Sequence, residues 1–155
     1  MYNKQVVKSH YDFVRYFDKK RWASMWHQID EVVSLKPHNV LEIGPGIGTF
    51  KLLANFFGIQ VKTVDIDPDL KPDYIASVFN LPFGDDAFEC VCAFQMLEHL
   101  PYQKSLIGFY EMTRVARKNI IISLPDAKSE LFIFVDPFKI IEGINITKKM
   151  INLPI

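Results

Sequence analysis

Apolar residues along the chain follow two patterns, helical spacing and short continuous runs. Helical spacing, with apolar positions recurring every three or four residues, predicts helices over residues 11–34, 50–57 and 101–116. Pro37 and Gly58 end the first two helices, because proline cannot continue a helix and glycine readily terminates one.

The continuous apolar runs between these helices predict strands. They cover Asn39–Ile43, Val61–Ile66, Tyr74–Val78, Phe88–Phe94 and Asn119–Leu124. Strands this apolar on both faces are typical of a parallel sheet covered by helices on both sides. Right-handed crossovers then give an α/β fold with a doubly wound, mostly parallel sheet.

The last 31 residues fit this alternation less well. Residues 131–135 could form a strand or a surface loop, and residues 140–145 could form a hairpin around Glu142 and Gly143. A chain of 155 residues predicts one domain. We divide it into an N-terminal helical segment (1–36), a core (37–125) and an atypical C-terminal segment (126–155).

Composition excludes several classes of protein. Hydrophobic residues make up 49% and charged residues 23%, as in a globular chain rather than a disordered one. No apolar run is long enough for a membrane span, and the first ten residues lack the apolar stretch of a secretory signal. Cys90 and Cys92 lie in an apolar run, which favours reduced, buried thiols and a cytosolic location.

The charges are unevenly distributed although they cancel. Residues 31–113 carry five Lys or Arg against eleven Asp or Glu, and the basic excess is split between the two ends. A nucleic-acid-binding protein usually has one concentrated basic patch, so we expect neither a nucleic acid nor a membrane as partner.

A glycine-rich turn follows the first predicted strand. It reads Glu42-Ile43-Gly44-Pro45-Gly46-Ile47-Gly48. In a doubly wound fold this turn lies at the carboxyl edge of the sheet, where ligands bind. The third glycine comes one position too early for a dinucleotide fingerprint, and the lysine of a P-loop is absent. Glu42 would repel a pyrophosphate and attract a cation, so the electrostatics favour S-adenosylmethionine over NAD. A tight turn without a ligand is the alternative.

Asp65 lies at the carboxyl end of the second predicted strand, 17 residues after Gly48. A carboxylate at this place can accept hydrogen bonds from both hydroxyls of a ribose, whether in NAD or in S-adenosylmethionine. The alternative is that Asp65 caps the following turn. We interpret Asp67, which precedes Pro68, as a turn residue.

Four motifs in order resemble the class I S-adenosylmethionine-dependent methyltransferases, and within them the methyltransferase type 11 group. The motifs are Glu42-x-Gly44-x-Gly46-x-Gly48, Asp65-Ile66-x-Pro68, Leu81-Pro82-Phe83 and Met96-Leu97-Glu98-His99-Leu100. The resemblance covers about residues 38–125. It implies a Rossmann-like sheet with strand order 3-2-1-4-5-7-6 and an antiparallel seventh strand.

The resemblance also implies the cofactor-binding residues. These are Glu42, Gly44, Pro45, Gly46, Gly48, Asp65, Ile66, Ser77, Val78, Phe79 and Gln95. The methionine moiety is expected along the glycine-rich turn, the ribose at Asp65, the adenine near Ile66 and residues 77–79, and the methyl group beside Gln95.

Two departures from the family affect these expectations. Ser77 stands where the family usually has an Asp that accepts from the adenine amino group, so we expect somewhat weaker cofactor binding. The segment after the fifth strand is shorter than the family's closing helix and strand pair. We therefore expect shortened or incomplete C-terminal strands.

His99 is the candidate catalytic base, because imidazole titrates near neutrality and His99 follows the fourth strand at the ligand edge. Alternatively, it caps the helix at Pro101 or packs below the site. Some relatives hold a metal in a similar segment. Here Gln95 replaces the first carboxylate and leaves Glu98 and His99, so we expect no metal.

Two tyrosines and three arginines are further candidates for contacts with a ligand. Tyr11 or Tyr16 could close over the cofactor as a lid. Arg21, Arg114 and Arg117 are interpreted as surface residues, one of which could bind an acidic substrate.

The sequence thus predicts S-adenosylmethionine-dependent methyl transfer to a small-molecule or a glycan- or lipid-like acceptor. A methyltransferase-like interaction module without catalysis is one alternative. The NAD-binding half of an oxidoreductase is the other, and the glycine spacing and Glu42 oppose it.

Overall fold

The computed structural model describes Tyr11, Tyr16, residues 18–125 and the backbone of two C-terminal strands. The helices are α1 (Lys19–Leu35), α2 (Thr49–Phe56) and α3 (Tyr102–Val115). The strands are β1 (Asn39–Ile43), β2 (Gln60–Asp65), β3 (Tyr74–Ile75), β4 (Phe88–Phe94), β5 (Ala116–Leu124), β6 (Glu130–Val135) and β7 (Ile146–Ile151). Two 3-10 turns, Pro68–Leu70 and Leu97–His99, follow β2 and β4.

The strands form one sheet in the order β3-β2-β1-β4-β5-β6-β7. Strands β1 to β5 are all parallel, as predicted. The chain passes from β1 to β2 through α2 and from β4 to β5 through α3. This α/β arrangement places the carboxyl ends of β1, β2 and β4 side by side at one edge of the sheet.

The order of the last two strands differs from the expected 3-2-1-4-5-7-6. β6 pairs directly with β5 and runs antiparallel to it, and β7 pairs antiparallel with β6 on the outside. Only five residues separate Leu124 from Glu130. A parallel crossover needs about a dozen residues. A connection of this length suits an antiparallel neighbour, and β6 rather than the seventh strand is the antiparallel one.

The structure changes several element boundaries. α1 begins at Lys19 rather than near residue 11, because Asp18 accepts a hydrogen bond of 2.8 Å from the backbone N–H of Arg21 and caps the helix. The third strand is reduced to Tyr74–Ile75. Residues 131–135 belong to a strand, whereas the hairpin expected at residues 140–145 lies outside the described residues.

Two apolar layers cover the sheet. Leu41 and Ile43 face α3, whereas Val40 faces α1 and α2 together with Cys90 and Cys92. Both cysteines are fully buried, and burial raises the pKa of the Cys90 thiol to about 12. The cysteines are therefore packing residues of the second layer. Within the described residues, no helix is both long and apolar enough to cross a bilayer.

Candidate functional site

A cavity of about 700 Å³ opens at the carboxyl edge of the sheet. It brings together nine of the twelve residues predicted for the site: Gly44, Gly46, Asp65, Ile66, Ser77, Val78, Phe79, Gln95 and His99. Glu42 and Pro45 lie in the wall of an adjoining cavity of about 50 Å³, which shares Gly44 and Gln95 with the larger one. Gly48 lines neither cavity and instead forms the N-cap of α2.

The glycine-rich turn passes close to other parts of the site. Gly44 has φ +71°, and a Cβ added there would lie 2.5 Å from Cγ of Met96. Gly46 has φ +56°, and its Cβ would lie 3.1 Å from Cε1 of Tyr11. Both positions therefore need glycine for conformation and for space.

Asp65 forms the corner of the cavity at the end of β2. Its Oδ1 accepts a hydrogen bond of 2.8 Å from the backbone N–H of Asp67, which fixes the turn that follows the strand. Asp67 in turn accepts from the backbone N–H of Asp69 at 3.0 Å and caps the 3-10 turn. The interpretation of Asp67 as a turn residue is confirmed, and Asp65 both caps a turn and lines the cavity.

Residues 77–79 form another part of the cavity wall. Ser77 Oγ accepts a hydrogen bond of 3.3 Å from the backbone N–H of Phe79, so this hydroxyl helps to shape its own loop. Val78 is 7% exposed and packs against α3 at Gly108, where a Cβ would lie 3.2 Å from both methyl carbons of Val78. The absence of a side chain at Gly108 thus lets α3 approach the wall of the cavity.

Two tyrosines and an arginine cover the cavity from the N-terminal side. The rings of Tyr11 and Tyr16 meet edge to face with centroids 4.7 Å apart. The guanidinium of Arg21 lies 4.0 Å above the ring of Tyr16, and its Nη1 lies 3.5 Å from Oε1 of Gln95. Both tyrosines line the cavity, and their role as a lid stays a prediction.

Arg21 is half-buried and lines both cavities, and the prediction that one of the three arginines binds an acidic group stays a prediction. Asp18 caps α1, so Arg21 lies in the first turn of the helix, where it lines the small cavity together with the glycine-rich turn. The helical periodicity of the sequence does not indicate this position. Arg114 pairs with Glu111 and Arg117 pairs with Glu89, but among the described residues Arg21 has no carboxylate within ion-pair distance.

Glu42 is the most unusual charged group of the site. It is only 3% exposed, and its Oε2 atom has no hydrogen-bond partner among the described residues. Burial raises the pKa of Glu42 to about 8, although the positive charge of Lys51 opposes the shift. A buried carboxyl that lacks such a partner disfavours its charged form.

Three polar side chains lie toward the opening of the cavity: Glu98, His99 and Lys104. His99 is exposed and ends the 3-10 turn that follows β4, so it stands at the opening rather than beneath the site. In the described part of the chain, no cluster of three or more His, Cys, Asp or Glu residues is arranged to hold a metal ion.

Comparison with protein families identifies a match over residues 10–113 to a family described as a methyltransferase domain. Among curated proteins, the chain is 31% identical over 100 residues to norajmaline N-methyltransferase of Rauvolfia serpentina, which covers 54% of this chain and 34% of that protein. It is 29% identical over 126 residues to ajmaline N-methyltransferase of the same plant, covering 64% of this chain and 43% of that protein. The chain thus spans less than half the length of these relatives.

Solved structures share the fold at low sequence identity. The PH0226 protein of Pyrococcus horikoshii matches with a TM-score of 0.60 and 15% identity over 88% of this chain and 79% of that chain. A Burkholderia thailandensis 1,6-didemethyltoxoflavin-N1-methyltransferase, solved with S-adenosylhomocysteine, matches with a TM-score of 0.59 and 17% identity, covering 82% of this chain and 61% of that one. Magnesium protoporphyrin IX methyltransferase from Synechocystis, solved with bound SAM, matches with a TM-score of 0.57 and 16% identity, covering 75% and 64%.

The contact between Gly44 and Met96 can be tested by stability. Gly44→Ala should lower the free energy of unfolding by about 1–2 kcal/mol for the left-handed backbone and by about 1–3 kcal/mol more for the clash. Gly58→Ala is the matched control, because Gly58 has φ +83° and open space around it, so it carries the backbone cost alone. Urea unfolding measures both. Equal losses in the two variants would contradict the close contact.

Proposed function

This chain belongs to the methyltransferase-domain family, and on that premise we propose that it binds S-adenosylmethionine in the large cavity and transfers its methyl group to a small-molecule acceptor. The cavity itself carries the proposal. It lies at the carboxyl edge of a parallel sheet, the usual ligand site of such folds, and nine of the residues predicted from the sequence line it.

The charges around the two cavities fit this ligand, which carries a carboxylate, an ammonium and a sulfonium. The buried Oε2 of Glu42 has no partner among the described residues and suits a cation. The guanidinium of Arg21, which makes no ion pair with a carboxylate in the described part of the chain, suits the ligand's carboxylate. A dinucleotide would bring a pyrophosphate instead, which offers Glu42 no cation.

We assign the remaining contacts by position along the cavity. The methionyl part is held by Glu42, Gly44, Pro45 and Gly46, the ribose by Asp65, and the adenine by Ile66, Ser77, Val78 and Phe79. Gln95 lies beside the reacting end. Gly48 supports the geometry of the turn, because it lines neither cavity. Ser77 stands where the family usually has a carboxylate, and its hydroxyl already accepts from the backbone N–H of Phe79.

Bound S-adenosylmethionine would supply a methyl group on a sulfonium, which is already activated for displacement. The chain then has to position the acceptor in line and exclude water. Tyr11 and Tyr16 cover the site on one side, and His99 stands at the opening, where it can take a proton from the acceptor.

Small amines are the first acceptors to examine. The two curated relatives are named as N-methyltransferases of norajmaline and ajmaline. The cavity also has the volume of an ordinary small-molecule site. A methyltransferase-like module without catalysis is the second candidate, and the engaged hydroxyl of Ser77 favours it.

Calorimetric titration tests cofactor binding directly. We expect binding of S-adenosylmethionine and S-adenosylhomocysteine and none of NAD. Asp65→Ala should weaken binding by about 1–3 kcal/mol, because charged hydrogen bonds to the ribose are lost. Asp69→Ala is the control, since Asp69 is exposed and outside both cavities. Undiminished affinity in a folded Asp65→Ala variant would remove the ribose assignment.

The role of Arg21 can be isolated with a ligand that lacks the carboxylate. Arg21→Ala should weaken S-adenosylmethionine by about 1.5–3 kcal/mol, the value of a hydrogen bond to a charged group. Decarboxylated S-adenosylmethionine should bind the wild type and Arg21→Ala with similar affinity. Arg21→Lys keeps the charge and should retain part of the effect. If both ligands lose equal affinity, Arg21 acts by packing on Tyr16 instead.

His99 is tested by separating turnover from binding. With an amine acceptor identified by S-adenosylhomocysteine release, His99→Asn should lower kcat by about 100- to 10,000-fold, the usual contribution of a general base. The Kd of S-adenosylmethionine should not change. A variant with wild-type kcat would show that the acceptor needs no base from His99. If no acceptor in a broad panel is methylated although the cofactor binds, the non-catalytic alternative gains support.

A further inference from the structure

Glu42 is a carboxyl group inside an apolar layer. Glu42 lies two residues after Val40 on β1, so both side chains point to the same face of the sheet, toward α1 and α2. The apolar layer on this face includes Val40, Cys92 and Phe50. Oε2 of Glu42 is buried without a hydrogen-bond partner among the described residues, and Glu42 lines the small cavity beneath Gly44 and Pro45. The Glu42 carboxyl therefore borders the binding site but is shielded from bulk water.

The neighbouring elements supply little compensation for a negative charge on Glu42. In register on the adjacent strands are Thr63 of β2 and Cys92 of β4, and neither is cationic. From α2, the Lys51 ammonium attracts Glu42, but it is bound at 2.6 Å to Asp73.

Two further groups approach from the N-terminal side. Burial raises the pKa of Tyr16, and a negative charge on Glu42 adds to that shift. Arg21 shares the small cavity with Glu42, but its guanidinium is stacked on Tyr16 and reaches toward Gln95. In the described structure, Glu42 thus has no committed cationic partner.

We propose that Glu42 is protonated in the ligand-free protein and gives up its proton when the cationic methionyl end of the cofactor enters, so that cofactor binding releases a proton to solvent. This inference rests on the proposed function and adds a proton-linked step to it. Carboxylic acid becomes carboxylate, the proton goes to buffer, and the ligand's ammonium then balances the new charge.

The sign of the pH dependence follows from this linkage. The pKa of Glu42 is about 8 without ligand, and a bound cation lowers it. Affinity should therefore rise with pH up to about 8, by roughly three- to tenfold between pH 6 and pH 7. The α-amino group of the ligand loses its own proton near pH 8, so the affinity should pass through a maximum in that region.

Calorimetry in buffers of different ionisation enthalpy counts the protons. S-adenosylmethionine and S-adenosylhomocysteine are titrated at pH 7 in phosphate, imidazole and Tris, and the slope of binding enthalpy against buffer enthalpy gives the number released. We expect between about half a proton and one proton per ligand. This measurement needs only the unmodified protein, so it does not depend on a variant that folds.

Two variants then locate the proton. Glu42→Gln should bind with a slope near zero and with little change in affinity between pH 6 and pH 7. Glu31→Gln, on α1 and outside both cavities, is the matched control and should behave as wild type.

Each failure has a distinct meaning. Binding by wild type without proton release overturns the inference and leaves the proposed function intact. Release that persists in Glu42→Gln also overturns it, because another group then supplies the proton. No binding of either ligand from pH 6 to pH 9 overturns the proposed function itself.

Discussion

The parallel pairing of β1 with both β2 and β4 is the constraint on which the site depends. Because all three strands run in the same direction, their carboxyl ends meet at one edge and project the glycine-rich turn, Asp65 and Gln95 toward a common space. The two apolar layers hold the strands in this register, with Leu41 and Val40 fully buried on opposite faces of β1. The parallel direction of the strands thus determines where the cavity lies, and the side chains determine its lining.

Glu42 shows how such a framework can tolerate an unfavourable group. A lone carboxylate inside an apolar layer costs several kcal/mol, a large fraction of the stability of a domain this size. A neutral carboxyl in the same place costs far less. In our proposal, Glu42 is neutral while it packs in the ligand-free protein and becomes charged when the cationic ligand binds. The same side chain therefore suits both states.

The parts of the site that follow from local rules could be predicted from the sequence. The turn at Gly44 and Gly46 needs left-handed backbone, which the glycines of the sequence indicate. Asp65 ends a strand, which the apolar run before it indicates. Arg21 could not be placed, because its position depends on where Asp18 starts α1 and on how that helix lies over the sheet. The exchange of β6 and β7 was accessible in principle, since five residues after Leu124 are too few for a crossover.

Gly108 has a consequence for how the site can evolve. It lies on α3, away from the cavity, yet the missing side chain lets the helix rest directly on Val78, whose own side chain backs the cavity wall. A larger residue here requires either Val78 or α3 to shift, and a shift of Val78 would narrow the pocket from behind. Ligand preference in such a domain can therefore drift through helix substitutions that an inventory of contact residues would class as neutral.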